Sequence, residues 1–208
     1  MKRKNFFNSI LQHTRKPEGF IGRLILRGMN QGHGPISRWG LSRIDWQPHW
    51  TILDIGCGGG ANLSRMLKRC PQGKIHGIDL SSESVKFARK KNKKHVDSHC
   101  FIELGNVTQL PYEAGTFDLV TAFETIYFWG NLSQAFTEVA RVLKPGGLFL
   151  ICCEASNPAD DTWTSRIDGM VVYDADELQA RLAPCGFSDF VVHHRHKENI
   201  CLVAQKNA

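Results

Sequence analysis

A short apolar run that leads into a glycine-rich loop is the feature that most limits how this chain can fold. The stretch TILDIGCGGGANLSRML (51–67) places four glycines within five residues, immediately after an apolar segment that contains an aspartate. Glycine weakens regular structure, but it lets the backbone approach another group closely. The pattern predicts a buried strand at 51–55, a helix over 61–70 and, between them, a loop that makes room for a ligand.

Beyond this unit, strands and helices alternate along the chain. The further predicted strands are 74–79, 100–104, 117–123, 148–154, 187–194 and 200–205, and the further predicted helices are 81–92, 131–143 and 176–183. Ser81 or Ser82 is the expected N-cap of one helix, and KPGG is expected to end another. The few residues between the last two strands favour a hairpin that gives the sheet an antiparallel edge. The whole pattern predicts an α/β fold with a mostly parallel sheet and helices on both faces.

Length and composition are typical of one large globular domain. A chain of 208 residues can form one substantial core, and its longest apolar stretches are too short to cross a bilayer. The segment MKRKNFFNSILQHTRK (1–16) lacks the long apolar core of a signal peptide, and its apolar side chains share one helical face. We expect the first fifty residues to form helices packed over the sheet, which gives predicted boundaries of 1–49 and 50–208.

The cysteines indicate a reduced, cytoplasmic protein. There are seven, an odd number, and none forms a C-x-x-C pair. Several lie in apolar runs, where cysteine acts as a small hydrophobic residue, so we predict neither a disulfide framework nor a zinc site. His193, His194 and His196 form a short histidine tract, but alternate residues of a strand point to opposite faces. Solvated strand histidines are the favoured interpretation, and no metal site is predicted.

The formal charge of +6 is concentrated in one basic stretch, KFARKKNKK (86–94). It lies at the C-terminal end of a predicted helix, where cations complement the helix dipole. A solvated helix end is the favoured interpretation of this stretch. A surface that binds nucleic acid is the alternative, because electrostatic binding sites have this composition.

The glycine loop and an acid on the next strand together predict a site for a nucleoside-containing cofactor. Gly56, Gly58 and Gly60 would let the loop turn tightly and present backbone N–H groups, next to the positive end of the following helix. Asp79 ends the second strand, where its carboxylate can accept hydrogen bonds from a ribose diol. The sequence GCGGGA also fits the dinucleotide fingerprint G-x-G-x-x-G/A, so a nicotinamide cofactor stays open at this point.

Three features favour a methyl donor over a dinucleotide. Asp54 lies in the first strand two residues before the loop, where a carboxylate would repel a pyrophosphate but could meet an amino group or ordered water. The stretch GNVTQLPYEAGTFDLVTAFET (105–125) places a polar turn after the third strand and an acid after the fourth. The predicted closing hairpin is the third feature.

These motifs resemble the class I S-adenosylmethionine-dependent methyltransferases. The resemblance rests on LDIGCGGG, GIDLS, GNVTQLPYEAGTFDLV and RVLKPGG, and it covers roughly residues 50 to 153. It implies a Rossmann-like, seven-stranded mixed sheet whose last strand is antiparallel. It also implies that S-adenosylmethionine binds at the loop and leaves as S-adenosylhomocysteine.

The family's binding positions transfer onto this sequence one by one. Positions that would line the methionine end of the cofactor and pass beside the adenosine are Asp54, Gly56, Cys57, Gly58 and Gly60. Asp79 would bind both ribose hydroxyls, and Leu80 would lie against the adenine. Asn106 and Val107 would meet the adenine edge and ring. Many family members have aspartate where this chain has Asn106, whose amide oxygen can still accept a hydrogen bond. Phe123 would face the cofactor near the methyl group.

Three residues are the candidates for catalysis. Glu124 follows the fourth strand and would lie near the methyl group, although a simple loop carboxylate is an equal alternative. Tyr127 belongs to an aromatic cluster with Phe128 and Trp129, which would pack against a flat or positively charged acceptor or plug the start of a helix. His33 could act as a base or contact the substrate, although a lone loop histidine is more often solvated.

The segment 16–44 is the expected lid over this site, since segments before the first strand often cover the cofactor in this family. Glu154 and Asn157 also follow a strand at the carboxyl edge and could touch the acceptor, with a surface loop as the alternative. The resulting hypothesis is methyl transfer to a small-molecule acceptor by in-line displacement, in which positioning supplies most of the catalysis. The alternatives are an RNA or protein methyltransferase of the same fold, a nicotinamide-dependent oxidoreductase and a non-catalytic binding protein. The acceptor atom and the oligomeric state stay open.

Overall fold

The computed structural model of the chain describes residues 26, 28, 32–196 and 198–208. The predicted amphipathic helix at 1–16 and much of the predicted lid segment lie outside the described residues. None of the helices in the described part of the chain is long and apolar enough to cross a membrane.

In the part of the chain that the structure describes, seven strands and five α-helices have defined bounds, and from residue 51 onward their order is the one that the sequence predicts. The strands are β1 (Thr51–Ile55), β2 (Lys74–Asp79), β3 (Cys100–Leu104), β4 (Phe117–Phe123), β5 (Leu143–Cys153), β6 (Phe187–Arg195) and β7 (Asn199–Lys206). The helices are α1 (Gly34–Leu41), α2 (Ala61–Arg69), α3 (Ser82–Lys91), α4 (Leu132–Val142) and α5 (Ala175–Leu182). Short 3₁₀ turns cover Ile126–Phe128 and Ala183–Cys185.

The strands form one sheet in the order β3-β2-β1-β4-β5-β7-β6. The pairs among β1 to β5 are parallel, whereas β7 is antiparallel to both β5 and β6. This confirms the predicted seven-stranded mixed sheet with an antiparallel last strand. The edge differs from the expectation in one detail, because the antiparallel strand lies one place inside the sheet and β6 forms the edge.

Three of the helices, α3, α4 and α5, begin at a residue whose side chain caps the helix. Ser81 is the N-cap of α3, and its hydroxyl oxygen accepts a hydrogen bond from the Ser84 N–H at 3.2 Å. Asn131 caps α4 and Asp174 caps α5 in the same way. Each cap satisfies a first-turn N–H that would otherwise lack a partner, which is why these helices begin where they do.

Strand β5 begins five residues earlier than the sequence predicts. The KPGG segment does not separate the helix from the strand, because Leu143 already pairs with Phe117 and Leu148 pairs with Leu119. The extra residues of β5 form an irregularity between these two pairs, and Gly146 supports it with a φ of 73°. The glycines therefore accommodate a bulge within the strand and do not form a turn before it.

Side chains pack on both faces of the sheet, as the alternating pattern predicts. One face buries the apolar sides of α4 and α5 around Phe117, Phe136 and Phe149. The other face buries α1, α2 and α3. Helix α1 approaches the sheet very closely, since a Cβ at Gly40 would lie 2.7 Å from Cys152 Sγ. This contact holds α1, which directly follows His33, against the sheet. The domain boundary at residue 50 stays a prediction.

Candidate functional site

A cavity of about 630 Å³ lies at the carboxyl ends of the central strands. The sequence-predicted residues on its wall are His33, Gly56, Cys57, Gly58, Asp79, Leu80, Asn106, Val107, Phe123, Glu124 and Tyr127. The other two, Asp54 and Gly60, lie behind the wall. The sheet thus brings the predicted residues together at one cavity.

The glycine loop turns through left-handed backbone conformations. The φ angles of Gly56, Gly58 and Gly60 are 69°, 50° and 72°, a region that other residues rarely adopt. A side chain on Gly56 would overlap Thr125, with its Cβ 2.7 Å from that residue's Cβ. A Cβ on Gly60 would lie 2.7 Å from Asn92 Nδ2 and 2.8 Å from Ala88 Cβ. Gly60 therefore serves the packing of α2 against α3, and of these three glycines only Gly58 has open space in front of it.

Most N–H groups of this loop bond within the protein. Gly56 and Cys57 donate to the Ile78 carbonyl at 2.8 and 3.1 Å, and Gly60 donates to the Cys57 carbonyl. Gly58 donates to Asp79 Oδ2 at 2.9 Å. The expectation that Gly56, Gly58 and Gly60 present their N–H groups to a ligand is therefore wrong, because β2 and the loop itself accept these hydrogen bonds.

Asp79 is held at the cavity wall by two backbone donors. Its Oδ1 accepts from the Ser81 N–H at 2.8 Å, and its Oδ2 accepts from Gly58. Burial raises the pKa of Asp79, and the two backbone hydrogen bonds oppose that shift. Each carboxylate oxygen has two lone pairs, so both keep the capacity to accept a further hydrogen bond from a diol. Leu80, beside it, is an exposed apolar side chain on the same wall.

The turn after β3 also lines the cavity. Asn106 Oδ1 accepts a hydrogen bond from the Thr108 N–H at 3.1 Å. The amide oxygen thus stabilises its own turn and keeps one lone pair for a ligand. Val107 is buried and lines the wall beside it.

Asp54 is a buried carboxyl beneath the loop. Its side chain is 2 % exposed and accepts a hydrogen bond from the Thr121 hydroxyl at 2.7 Å. Burial raises the pKa of Asp54 to about 7, a shift that the Thr121 hydrogen bond opposes. Burial therefore keeps this carboxyl protonated up to a higher pH than an exposed aspartate.

Glu124 occupies the loop after β4 in a left-handed conformation, with a φ of 56°. Its Oε1 accepts the Glu154 N–H at 2.5 Å, and its Oε2 accepts the Tyr127 hydroxyl at 3.4 Å. Burial raises the pKa of Glu124 to about 7, while the neighbouring charge of His33 opposes the shift. A carboxyl with this pKa can accept a proton near neutral pH and release it again.

His33 and Tyr127 complete a hydrogen-bonded cluster around Glu124. His33 Nδ1 lies 3.3 Å from Glu154 Oε2 and 3.8 Å from Glu124 Oε2. Burial disfavours protonation of His33, but the hydrogen bond to Glu154 and the charges of both glutamates outweigh it, so its pKa is raised. The Tyr127 hydroxyl also accepts the Ala155 N–H at 3.1 Å. Three chain segments thus meet at one group of titratable side chains.

The segment after β5 supplies a wall that sequence reasoning missed. Trp163, Ile167 and Met170 line the cavity, and the Val171 N–H donates to the Tyr127 carbonyl at 3.0 Å. This segment has no regular strand or helix, so periodicity could not identify it. Its apolar residues within an otherwise polar loop were the one available signal. Asn157, which the sequence suggested as a contact to the acceptor, accepts a hydrogen bond from the Ala159 N–H in a local turn.

Comparison with known proteins agrees with the motifs. Residues 53–151 match the family described as a methyltransferase domain. A demethylmenaquinone methyltransferase of Symbiobacterium thermophilum is 33 % identical over 120 residues, which is 57 % of this chain and 47 % of that protein. The 24-methylenesterol C-methyltransferase 2 of Arabidopsis thaliana is 31 % identical over 137 residues, 64 % of this chain and 38 % of that protein. The chain spans less than half the length of these two relatives.

Solved structures share the fold at low identity. The putative methyltransferase in a complex with the Haloferax volcanii Trm112 activator superposes with a TM-score of 0.76 at 20 % identity, covering 88 % of this chain and 94 % of that one. Geranyl diphosphate C-methyltransferase of Streptomyces coelicolor, in a complex that contains S-adenosyl-L-homocysteine, gives a TM-score of 0.73 at 16 % identity and covers 83 % and 76 % of the two chains. These likenesses show that the chain has the fold of S-adenosylmethionine-dependent methyltransferases, and its residues 53–151 match the methyltransferase domain family.

Proposed function

We propose that this chain transfers a methyl group from S-adenosylmethionine to a small-molecule acceptor that loses a proton, and releases S-adenosylhomocysteine. The observation that carries the proposal is the cluster of His33, Glu124 and Tyr127 on the wall of the same cavity as the glycine loop. A binding protein without turnover has no need of a proton-accepting group beside the ligand.

The cavity fits the cofactor at several independent points. Asp79 keeps lone pairs for the two ribose hydroxyls, and Leu80 and Val107 offer apolar surfaces for the adenine. The space in front of Gly58 would be filled by any side chain at that position, so the glycine keeps the route along the loop open. When bound, S-adenosylmethionine supplies a methyl group that its sulfonium has already activated.

Glu124 is the proposed proton acceptor. Its raised pKa makes it a stronger base than an ordinary carboxylate, and its two hydrogen bonds hold it in one orientation. Tyr127 orients one oxygen, and His33 lies close enough to stabilise the ionised carboxylate. This arrangement is suited to a hydroxyl or a carbon acid, since a thiolate or a tertiary amine would need no base.

The body of the acceptor is proposed to be apolar. The apolar residues Phe128, Trp163, Ile167 and Met170 line the same cavity as the cluster, and Phe128 follows Tyr127 directly in the chain. Burial of a flat or aliphatic ligand against such residues is favourable, whereas the carboxyls of Glu124 and Glu154 would repel an anionic group. Relatives named for demethylmenaquinone and for a methylenesterol support an apolar small molecule as the first class to test.

Binding of the cofactor is tested by calorimetry with S-adenosylhomocysteine and with NADH. We expect saturable binding of the former only, and a loss of at least about tenfold in affinity in Asp79→Ala, because the carboxylate would make two hydrogen bonds to the ribose. Glu113→Ala, an exposed acid outside the cavity, is the matched control. Undiminished affinity in Asp79→Ala would contradict the site assignment, and preferential NADH binding would contradict the proposal as a whole.

The acceptor is tested by incubating the chain with metabolite fractions and a labelled methyl donor, followed by mass analysis of the product. Label in a small apolar compound is the expected result. Label in RNA would instead favour the alternative raised by the basic stretch. That stretch lies at the far end of α3 from Ser84, the α3 residue that lines the cavity, and Arg89 within it already pairs with Asp97 at 2.8 Å.

A further inference from the structure

The segment after β5 is closed at both ends on one residue. The Tyr127 hydroxyl accepts a hydrogen bond from the Ala155 N–H at 3.1 Å, and the Tyr127 carbonyl accepts one from the Val171 N–H at 3.0 Å. Residues 156–170 between these two anchors form a loop whose ends lie together, which is the arrangement of an Ω-loop. We call it the wall loop, because three of its side chains line the cavity. Its position is therefore tied to the residue that orients Glu124.

The turns of the wall loop hold Trp163 in place through its backbone. The N–H groups of Arg166 and Ile167 both donate to the Trp163 carbonyl at 3.0 Å. The polar residues before it bond to each other, since Asp160 Oδ1 accepts hydrogen bonds from the N–H and the hydroxyl of Thr162. The tryptophan is therefore placed by its neighbours in the chain, although its own side chain is not buried.

The apolar lining of the cavity continues onto the surface of the molecule. Trp163 lines the cavity but is 43 % exposed, and Val171, which follows the lining residue Met170, is 47 % exposed. Single exposed apolar residues are normal, but apolar surface that continues from a cavity is typical of a ligand site. A ligand confined to the cavity would leave this outer surface in water.

The charge of the wall loop limits what can cover this surface. The loop contains three acids, Asp160, Asp161 and Asp168, and one base, Arg166. An anionic group beside it would be repelled, whereas an uncharged apolar chain gains free energy from burial. The composition of the loop therefore favours a hydrocarbon tail over an anionic one.

The two ends of the cavity differ in polarity. Glu124 and Tyr127 line the cavity and are largely buried, whereas Trp163 lines it and reaches the surface. The cavity thus connects a buried polar cluster with an exposed apolar rim. A molecule with a polar head and an apolar tail has its groups in the matching order.

We propose that the acceptor is an amphiphile with an uncharged apolar tail, and that this tail leaves the cavity across Trp163 and Val171 while its head is methylated beside Glu124. The inference rests on the proposed function, since it names the class of acceptor for the same site. It makes Trp163 a specificity-determining residue, whose contribution to binding increases with the length of the tail.

A series of 4-alkylphenols tests this assignment, because these compounds share one head and differ only in the tail. Their affinities are measured by calorimetry, from 4-ethylphenol to 4-octylphenol, with saturating S-adenosylhomocysteine present. We expect the affinity to rise at least about tenfold along the series, since each fully buried CH₂ group contributes up to about fourfold. In Trp163→Ala and in Val171→Ser this rise should be at least about threefold smaller, because part of the tail then lacks its contact.

Val191→Ser is the matched control, because Val191 is a 50 % exposed valine on the edge strand β6 and lies outside the cavity wall. It should keep the full rise in affinity. The same rise in Trp163→Ala and Val171→Ser as in the unaltered chain would overturn the inference. Affinities that do not depend on tail length, or no binding of any phenol, would overturn it as well.

Two further results separate this inference from other uses of the surface. A dimer in solution that Trp163→Ala disperses would assign the exposed tryptophan to a contact between two copies, and would overturn the inference. Failure of the unaltered chain to bind S-adenosylhomocysteine would instead contradict the proposed function, and this inference with it.

Discussion

At the scale of single residues, Glu124 combines an unfavourable backbone conformation with a demanding position. A non-glycine residue in the left-handed region costs about 1–3 kcal/mol, and such residues concentrate at functional sites. The conformation is maintained by hydrogen bonds on both sides, since the Glu124 N–H donates to the Cys152 carbonyl at 3.0 Å and the side chain accepts from Glu154. The ends of β4 and β5 therefore fix this carboxyl relative to the glycine loop.

Replacement of this carboxyl tests its proposed role as a base. In Glu124→Gln we expect kcat to fall by about 10²–10⁴-fold, the usual contribution of a general base, while S-adenosylhomocysteine still binds. For the unaltered chain, kcat/KM should rise with pH and level off above about pH 7, because only the deprotonated carboxylate accepts a proton. The measurement is the pH profile of methyl transfer to the identified acceptor.

Two results would contradict this role. The first is a Glu124→Gln variant that keeps both the rate and the inflection near pH 7, with Glu113→Gln as the reference for an exposed acid. The second is a loss of activity on treatment with EDTA. The donor atoms of His33, Glu124 and Glu154 lie within 4.8 Å of one another, so sensitivity to a chelator would indicate that they hold a cation instead of moving a proton.

Asp54 gives a prediction about stability. An unfolded aspartate has a pKa of about 3.9, whereas burial raises that of Asp54 to about 7. Between these values the folded chain holds a proton that the unfolded chain releases, so the free energy of unfolding falls as pH rises from about 4 to 7. In Asp54→Asn this fall should shrink, and the variant should be more stable than the parent at pH 8 by as much as about 4 kcal/mol.

Denaturant unfolding at several pH values checks the Asp54 prediction. The parent and Asp54→Asn should have similar stability near pH 4 and diverge above it. The asparagine can still accept the Thr121 hydrogen bond through its amide oxygen, so the comparison isolates the charge. Parallel stability curves would show that the buried carboxyl does not titrate in this range.

At the scale of elements, Gly56 in the loop between β1 and α2 is required for two reasons, its left-handed backbone and the lack of space for a side chain. A comparison with Gly115, which lies outside this loop, separates the two effects. Gly56 and Gly115 have similar φ angles of 69° and 65°, but a side chain at Gly56 would overlap Thr125, whereas nothing lies within 4 Å at Gly115. Alanine at Gly115 should therefore destabilise the fold by about 1–2 kcal/mol through backbone strain alone. Alanine at Gly56 adds a steric overlap to that strain.

We expect Gly56→Ala to lose about 1–3 kcal/mol more than Gly115→Ala, the usual cost of overpacking, and to bind S-adenosylhomocysteine more weakly. Urea unfolding and calorimetry of the two variants make the measurement. Equal destabilisation in both variants would show that Thr125 moves aside without cost, and that the close approach of the two loops does not shape the site.

Local patterns predicted the elements well because each is determined mainly by its own residues. The bounds of β1, β2, β3 and β4 agree with the apolar runs, and the cap of α3 is the predicted Ser81. The predicted start of β5 was wrong, because only the pairing of β5 with β4 shows that KPGG forms a bulge. The prediction that the loop glycines present their N–H groups to a ligand was wrong for a similar reason. The acceptors of these groups belong to β2 and to the loop's own turn.

At the scale of the whole molecule, the site is assembled from segments that are far apart in the sequence. His33 and Glu154 are separated by 121 residues and meet because α1 packs directly on β4 and β5. No pattern in the sequence indicates that these two side chains lie close together. The sequence could name His33 and Glu124 as separate candidates, but their assembly into one cluster depends on the glycine at position 40 and on the close packing that it allows.

The same tight packing predicts how the seven free cysteines react with a thiol reagent. Six are buried and Cys185 is half-buried, and burial raises the pKa of Cys70 and of Cys100 to about 11. A thiol reacts as its thiolate and must be accessible. With a disulfide reagent at pH 8, the folded chain should therefore release about one equivalent quickly, and all seven should react in denaturant. Cys185→Ser should abolish the fast phase, and fast labelling that persists in this variant would show that the packing around the sheet opens more readily than described.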